Sequence, residues 1–118
     1  MADQVHHSRL HILFENEVGF VGKCPCCKEV RFGIGNVVSF MPEEGFIRLF
    51  RSLKKIDRQM ERNLVEMPNG RKIMLRTPVD NFLLCLTPSE FKGVLELFSQ
   101  AALKLRLLKP LEEVEKMN

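Results

Sequence analysis

The most chemically informative segment of the sequence contains three cysteines within four residues: Cys24, Cys26 and Cys27. Cys24 and Cys27 have the C-x-x-C spacing with which two thiolates bind one tetrahedral zinc ion through a tight turn. Zinc then needs two further ligands, and imidazole is the other donor that it prefers. The histidines of the chain all precede the cysteines: they are His6, His7 and His11.

A β-hairpin is predicted between the histidines and the cysteines. Residues 10–14 and 18–23 are rich in β-prone side chains, and residues 15–17 between them are polar, which is typical of two strands and a turn. Directly opposed side chains of such a pair lie about 5 Å apart, which is close enough to share an ion. The hairpin would therefore return the histidine-rich segment to the cysteines.

The predicted ligands follow from the register of this hairpin. A turn at residues 16–17 would place His7 opposite Cys26, and a slip of one residue would place His7 opposite Cys27. In both registers we expect zinc to be bound by Cys24, Cys27 and His7. The fourth ligand stays open among three side chains: His6, His11 and Cys26.

Two other interpretations of the cysteines stay open. One is that they are incidental thiols beside surface histidines. The other is thiol–disulfide chemistry, because Cys24-Pro25-Cys26-Cys27 is similar to the C-P-x-C active site of glutaredoxins, where the first cysteine begins a helix. The β-like, glycine-containing residues 28–35 disfavour such a helix here. Cys85 lies in an apolar, strand-like run and is expected to be buried.

The remaining sequence predicts short strands and two amphipathic helices. The helices have apolar side chains at i, i+3, i+4 and i+7. The first is expected from Pro42 to about Asn63, and the second from Thr87, whose spacing to Glu90 is that of a capping box, to about Leu108. The predicted strands span residues 30–34, 36–41, 72–76 and 81–86.

These elements predict an α+β domain of two layers, in which an antiparallel sheet is covered on one face by two helices. The N-terminal hairpin would carry the Cys/His cluster. Two strand–turn–strand–helix units begin near Asn36 and Asn81, so a duplication is a further hypothesis. We expect one domain over residues 1–110, with residues 1–30 as the Cys/His module within it, and a charged tail at residues 111–118.

Composition favours a soluble cytoplasmic protein. The chain has 118 residues and a net charge of +3, with apolar and charged fractions of 45% and 28%, which are ordinary for one globular domain. No apolar run approaches the ~20 residues of a membrane span, and the N-terminus lacks a signal-peptide layout. Crowded cysteines in a reducing compartment indicate metal or redox chemistry rather than a disulfide framework.

The first predicted helix carries a row of cations at i+3 and i+4 spacing. They lie within about 80° of one another around the helix axis, opposite its apolar side. Such a row can neutralise phosphates and bind nucleic acid weakly, although a solvated helix face is the more common reason for it. The candidate nucleic-acid residues are Arg48, Arg51, Lys55, Arg58 and Arg62.

No nucleophile–base–acid constellation or phosphate-binding loop is visible in the sequence, so we do not expect an enzyme. The second predicted helix has an apolar face wider than a single helix contact requires. This width is explained by intramolecular packing or by a homodimer surface.

Two segments resemble a family of small uncharacterised proteins from Bacteroidetes bacteria. They are Cys24-Pro25-Cys26-Cys27 and Phe32-Gly33-Ile34-Gly35-Asn36, which an acidic helix start follows. A second half like residues 81–101 completes the resemblance, while Cys26 and Ile34-Gly35 depart from the family pattern. The resemblance implies this architecture and a bacterial cytosolic location, but no activity.

From the sequence we therefore expect a small cytosolic binding or regulatory protein with a structural zinc site. Its partner would be a protein or a nucleic acid. A thiol–disulfide protein using Cys24 and Cys27, and a weak nucleic-acid binder using the first helix, are the alternatives.

Overall fold

The computed structural model describes residues 10–26, 28–76, 81 and 83–117, with side chains described as far as Arg106. These segments contain seven strands and three helices. The strands are β1 (His11–Asn16), β2 (Gly19–Lys23), β3 (Glu29–Ile34), β4 (Val37–Pro42), β5 (Leu64–Met67), β6 (Gly70–Arg76) and β7 (Leu83–Leu86). The helices are α1 (Glu43–Arg58), α2 (Met60–Asn63) and α3 (Pro88–Met117). The predicted α+β class is confirmed.

The strands form two antiparallel sheets where the sequence suggested one. The first has the order β1-β2-β3-β4 and the second the order β5-β6-β7. Helix α3 packs against β1 and β2, and α1 packs against β3 and β4, so the two long helices cover the first sheet. Helix α3 also contacts β6 and β7 and thereby joins the second sheet to the body.

Three phenylalanines, which we call the aromatic triad, form the centre of the core. They are Phe32 on β3, Phe46 on α1 and Phe98 on α3, and all are buried. The ring centroid of Phe98 lies 4.9 Å from that of Phe32 and 4.7 Å from that of Phe46. These separations are typical of favourable aromatic pairs. The triad therefore links one strand to both long helices.

The tip of the first hairpin is fixed by the side chain of Asn16. Its Oδ1 accepts hydrogen bonds from the backbone N–H groups of Val18, at 3.0 Å, and Gly19, at 3.3 Å. Its Nδ2 donates to the carbonyl of Gly93 on α3 at 2.9 Å. A side chain at Gly93 would meet Val18, since its Cβ would lie 2.7 Å from Val18 Cγ1. The glycine thus permits the close contact between the hairpin tip and α3.

The start of α3 is the predicted capping box. The backbone N–H of Glu90 donates to Thr87 Oγ1 at 3.1 Å, and the backbone N–H of Thr87 donates to Glu90 Oε1 at 2.9 Å. Because this backbone bond favours the charged carboxylate, the pKa of Glu90 is lowered from its ordinary value of 4.5. Local sequence signals were sufficient to place this helix terminus.

The helix ends differ from the prediction. Helix α1 ends at Arg58, and Gln59, with φ of −124°, separates it from α2, whereas one helix to residue 63 was expected. Helix α3 continues through Pro110 to Met117. Proline removes one helix hydrogen bond, but the following residues are mostly good helix formers. The predicted tail at residues 111–118 therefore belongs largely to α3. Within the described residues, no helix is long and apolar enough to cross a membrane.

We predict that Phe98→Ala lowers the free energy of unfolding by about 3–5 kcal/mol, because it removes the ring shared by both contacts of the aromatic triad. Phe40→Ala is the matched control, since Phe40 is 61% exposed; it should change stability by about 0.5 kcal/mol or less. Urea unfolding followed by circular dichroism measures both. Equal losses in the two variants would contradict the assignment of the core.

Candidate metal site

The cysteine turn (residues 24–28) connects β2 to β3. The backbone N–H of Cys24 donates to the carbonyl of Glu29 at 2.9 Å, and the backbone N–H of Lys28 donates to the carbonyl of Cys24 at 3.1 Å. Lys28 has a φ of 59°, in the left-handed region that residues other than glycine seldom occupy. Two backbone hydrogen bonds and one left-handed residue therefore close the turn that contains the C-x-x-C segment.

The two described cysteines of the turn have different environments. Cys24 is buried, with 2% of its surface exposed, whereas Cys26 is exposed. Both are thiols rather than disulfides. The neighbouring Lys23 is also buried, and its Nζ lies 3.9 Å from Oε2 of Glu43 on α1. Its charge is thus directed at a carboxylate of the core-facing helix.

The hairpin register differs from the predicted one. Asn16 holds the turn at residues 17–18 instead of 16–17, and an irregularity between Ile12 and Phe14 then shifts the pairing by one residue. His11 consequently pairs with Lys23, whereas a turn at residues 16–17 would have paired it with Gly22. The register based on a turn at residues 16–17 is therefore wrong. The pairing at His11 is that of the alternative register, shifted by one residue. Continued toward the N-terminus, this register would place His7 opposite Cys27.

The pleat of the sheet separates His11 from Cys24. A Cβ built on Gly22 would lie 3.4 Å from Leu10 Cβ and 3.5 Å from Ile12 Cδ1, so Leu10 and Ile12 share a face of the sheet with Gly22. His11 lies between them in sequence and projects to the other face. Cys24, two residues after Gly22, returns to the Gly22 face. The exposed His11 is thus not on the same face as the buried Cys24.

The structure describes three of the six predicted ligands, and these three do not form a cluster. They are Cys24, Cys26 and His11; His6, His7 and Cys27 lie outside the described residues. In the part of the chain that is described, no three His, Cys, Asp or Glu side chains come together in a way that would hold a metal. The zinc site therefore stays a prediction.

The described geometry does not favour a redox centre at the turn. The segment after the turn is strand β3 and not a helix, so the cysteines do not begin a helix as the C-P-x-C motif of glutaredoxins does. Cys24 is also buried, whereas a nucleophilic thiol must be accessible.

Cys85 was expected to be buried and is exposed, because it alternates on the edge strand β7 with Leu84 and Leu86, which face inward.

The predicted row of cations is exposed, and we call it the cationic face. Two nearby acids on the same helices are neutralised by other cations: Asp57 pairs with Lys92, and Glu61 Oε2 lies 3.8 Å from Arg71. Among the described side chains, no carboxylate lies within ion-pair distance of any member of the row. Its members are Arg48, Arg51, Lys55 and Arg58 on α1 and Arg62 on α2.

The sequence signals missed two residues that shape the turn and its hairpin. Lys28 adopts a backbone conformation that its side-chain type does not predict. Asn16 fixes the register through contacts with residues distant in sequence. An asparagine in a polar hairpin loop is a known turn signal and could have shifted the predicted turn by one residue.

A protein-family model matches residues 6–116, which is nearly the entire chain, and is described as a family of unknown function, DUF6686. No curated protein and no solved structure matches the chain significantly. The match supports the expectation of an uncharacterised family and does not address a Bacteroidetes origin or a family motif. The chain therefore belongs to DUF6686, a protein family of unknown function.

Proposed function

We propose that this is a small binding or regulatory protein in which Cys24, Cys27 and His7 bind a structural zinc ion. The ion would fasten the N-terminal segment to the end of the first sheet. The observation that carries this proposal is the cysteine turn, closed by backbone hydrogen bonds on both sides of the C-x-x-C segment and containing a buried Cys24. Structural zinc sites are closed, four-coordinate and shielded from solvent.

The backbone of the turn supports binding by a C-x-x-C pair. The bond from the Lys28 N–H to the Cys24 carbonyl brings together the residues that flank Pro25-Cys26-Cys27. Two thiolates three residues apart can then converge on one ion. A left-handed residue at position 28 lets the chain turn directly into β3.

The position of Leu10 supports the histidine ligand. Continuing the pairing of His11 with Lys23 by one step places Leu10 opposite Cys24. Three residues of extended chain span at most about 11 Å, so His7 is within reach of the cysteine turn. His11 suits the fourth position least, because it projects from the other face of the sheet. His6 and Cys26 are therefore the preferred fourth ligands.

We predict that the purified protein contains about one zinc ion per chain, as a single four-ligand site requires. Cys24→Ser and Cys27→Ser should each lose most of this zinc, since serine does not replace a thiolate ligand. Cys85→Ser is the matched control, because Cys85 is exposed on β7, and it should keep the metal. Elemental analysis with thiol titration before and after chelation measures the loss.

Cobalt substitution gives a second measurement that does not depend on the folding of the Cys24 and Cys27 variants. Co²⁺ bound to two thiolates gives a characteristic charge-transfer absorption, which should appear in wild-type protein and in Cys85→Ser. Protein that stays metal-free when refolded with zinc, and whose melting temperature does not change with chelator, would contradict the proposal. A reversible disulfide between Cys24 and Cys27 in that metal-free protein would support the thiol–disulfide alternative instead.

The cationic face supports a second candidate function, weak binding of nucleic acid. Its five side chains are exposed, and Asp57 and Glu61 on the same helices are engaged by other cations. Cations that are not neutralised by the protein can replace counterions on phosphates. The binding would be electrostatic and insensitive to sequence. Aromatic side chains, Tyr, Trp and Phe, can stack on bases. The chain contains neither Tyr nor Trp.

We predict that Lys55→Glu with Arg58→Glu weakens binding to generic single-stranded RNA and lowers the slope of log K against log salt by about 1.4, because two phosphate contacts are lost. Arg76→Glu with Lys104→Glu changes the net charge equally at exposed positions outside the cationic face. Fluorescence anisotropy across a salt series compares the two. No binding by wild-type protein at low salt, or equal losses in both variants, would eliminate this candidate.

A further inference from the structure

A groove runs along the seam between α1 and α3. It encloses about 530 Å³, and we call it the helix groove. Its apolar lining includes Ile47, Phe50 and Leu103, and Leu103 is 50% exposed. Its cationic lining includes Lys54 and Arg106. An apolar floor with a cationic rim suits an acidic amphipathic segment.

The two helices that form the groove are antiparallel, and α3 extends past α1. Asp57, near the end of α1, pairs with Lys92, near the start of α3. Glu43 precedes Asp57 by as many residues as Arg106 follows Lys92, and both Glu43 and Arg106 line the groove. Because both helices rise equally per residue, α1 begins level with Arg106. Residues 107–117 of α3 therefore have no α1 beside them.

The sequence of this extension complements the groove. Its acidic segment, residues 111–115, is Leu-Glu-Glu-Val-Glu and combines two apolar residues with three carboxylates. Leu107, Leu111 and Val114 have the i, i+4, i+7 spacing of one apolar helix stripe. Since α3 is a single helix to Met117, the acidic segment cannot turn back into the groove of its own chain.

We propose that the helix groove binds the acidic segment of a second copy of this chain. In a two-fold dimer, each α3 would extend over the seam between α1 and α3 of its partner, so that the same contact is made twice. On a helix that places the apolar stripe on the groove floor, Glu115 flanks this stripe and would lie nearest to the rim cations Lys54 and Arg106. This proposal is independent of the zinc site, whereas Arg51 belongs both to the groove lining and to the cationic face.

A charge-swap experiment on full-length protein tests this proposal. The groove-reversed variant carries Lys54→Glu and Arg106→Glu, and the tail-reversed variant carries Glu112→Lys, Glu113→Lys and Glu115→Lys. Each alone should dimerise at least about tenfold more weakly than wild type, because every contact is changed twice. Their equimolar mixture should form a heterodimer, since both of its grooves then face segments of opposite charge.

Sedimentation velocity over a concentration series measures the association, and thermal melts confirm that the variants fold. Arg76→Glu with Lys104→Glu is the matched control and should dimerise like wild type. Leu103→Asp should abolish the dimer without unfolding the chain, because the side chain is half exposed. A wild-type monomer at all concentrations would overturn the proposal. A dimer unaffected by the reversals, or a mixture without heterodimer, would overturn it as well.

Discussion

The structure depends on one contact, the meeting of Phe98 with Phe32 and Phe46 in the aromatic triad. The described strands form two separate sheets, and α3 is in contact with both. Burial of large aromatic rings supplies much of the free energy that orders such a small domain. The ring of Phe98 therefore sets the position of α3, and α3 sets the position of the second sheet relative to the first.

The same contact determines where the cysteine turn lies. Phe32 is on β3, which follows the turn directly, and its partner Val21 on β2 is also buried. Because β2 and β3 are hydrogen-bonded to each other, their positions determine where the connecting residues 24–28 lie. At the opposite end of the hairpin, Asn16 ties the tip to α3. A hairpin fixed at its tip and its centre presents its open end, where the metal site is proposed, in a defined place.

Local signals predicted much of this fold. Alternating β-prone residues located the hairpins, and Thr87 with Glu90 located the start of α3, because each signal acts within a few residues. The register of the first hairpin could not be predicted in the same way. It depends on the contact of Asn16 with α3 and on the bulge near Leu13, and both are tertiary effects.

The candidate site was predictable in composition but not in geometry. The residues that could bind zinc were visible as cysteines and histidines, and the turn between β2 and β3 lies at the C-x-x-C segment. The face on which His11 projects could not be known, because a shift of one residue reverses every side chain of a strand. The division of the strands into two sheets was likewise hidden, since strand partners are chosen by packing.

We propose above all that the cysteine turn and the N-terminal histidines bind one zinc ion. X-ray absorption spectroscopy at the zinc edge of the purified protein tests it most directly. We expect a first shell of sulfur at about 2.3 Å and nitrogen at about 2.0–2.1 Å, with the outer-shell scattering of imidazole. A first shell of light atoms without sulfur, or sulfur alone without imidazole, would contradict the account.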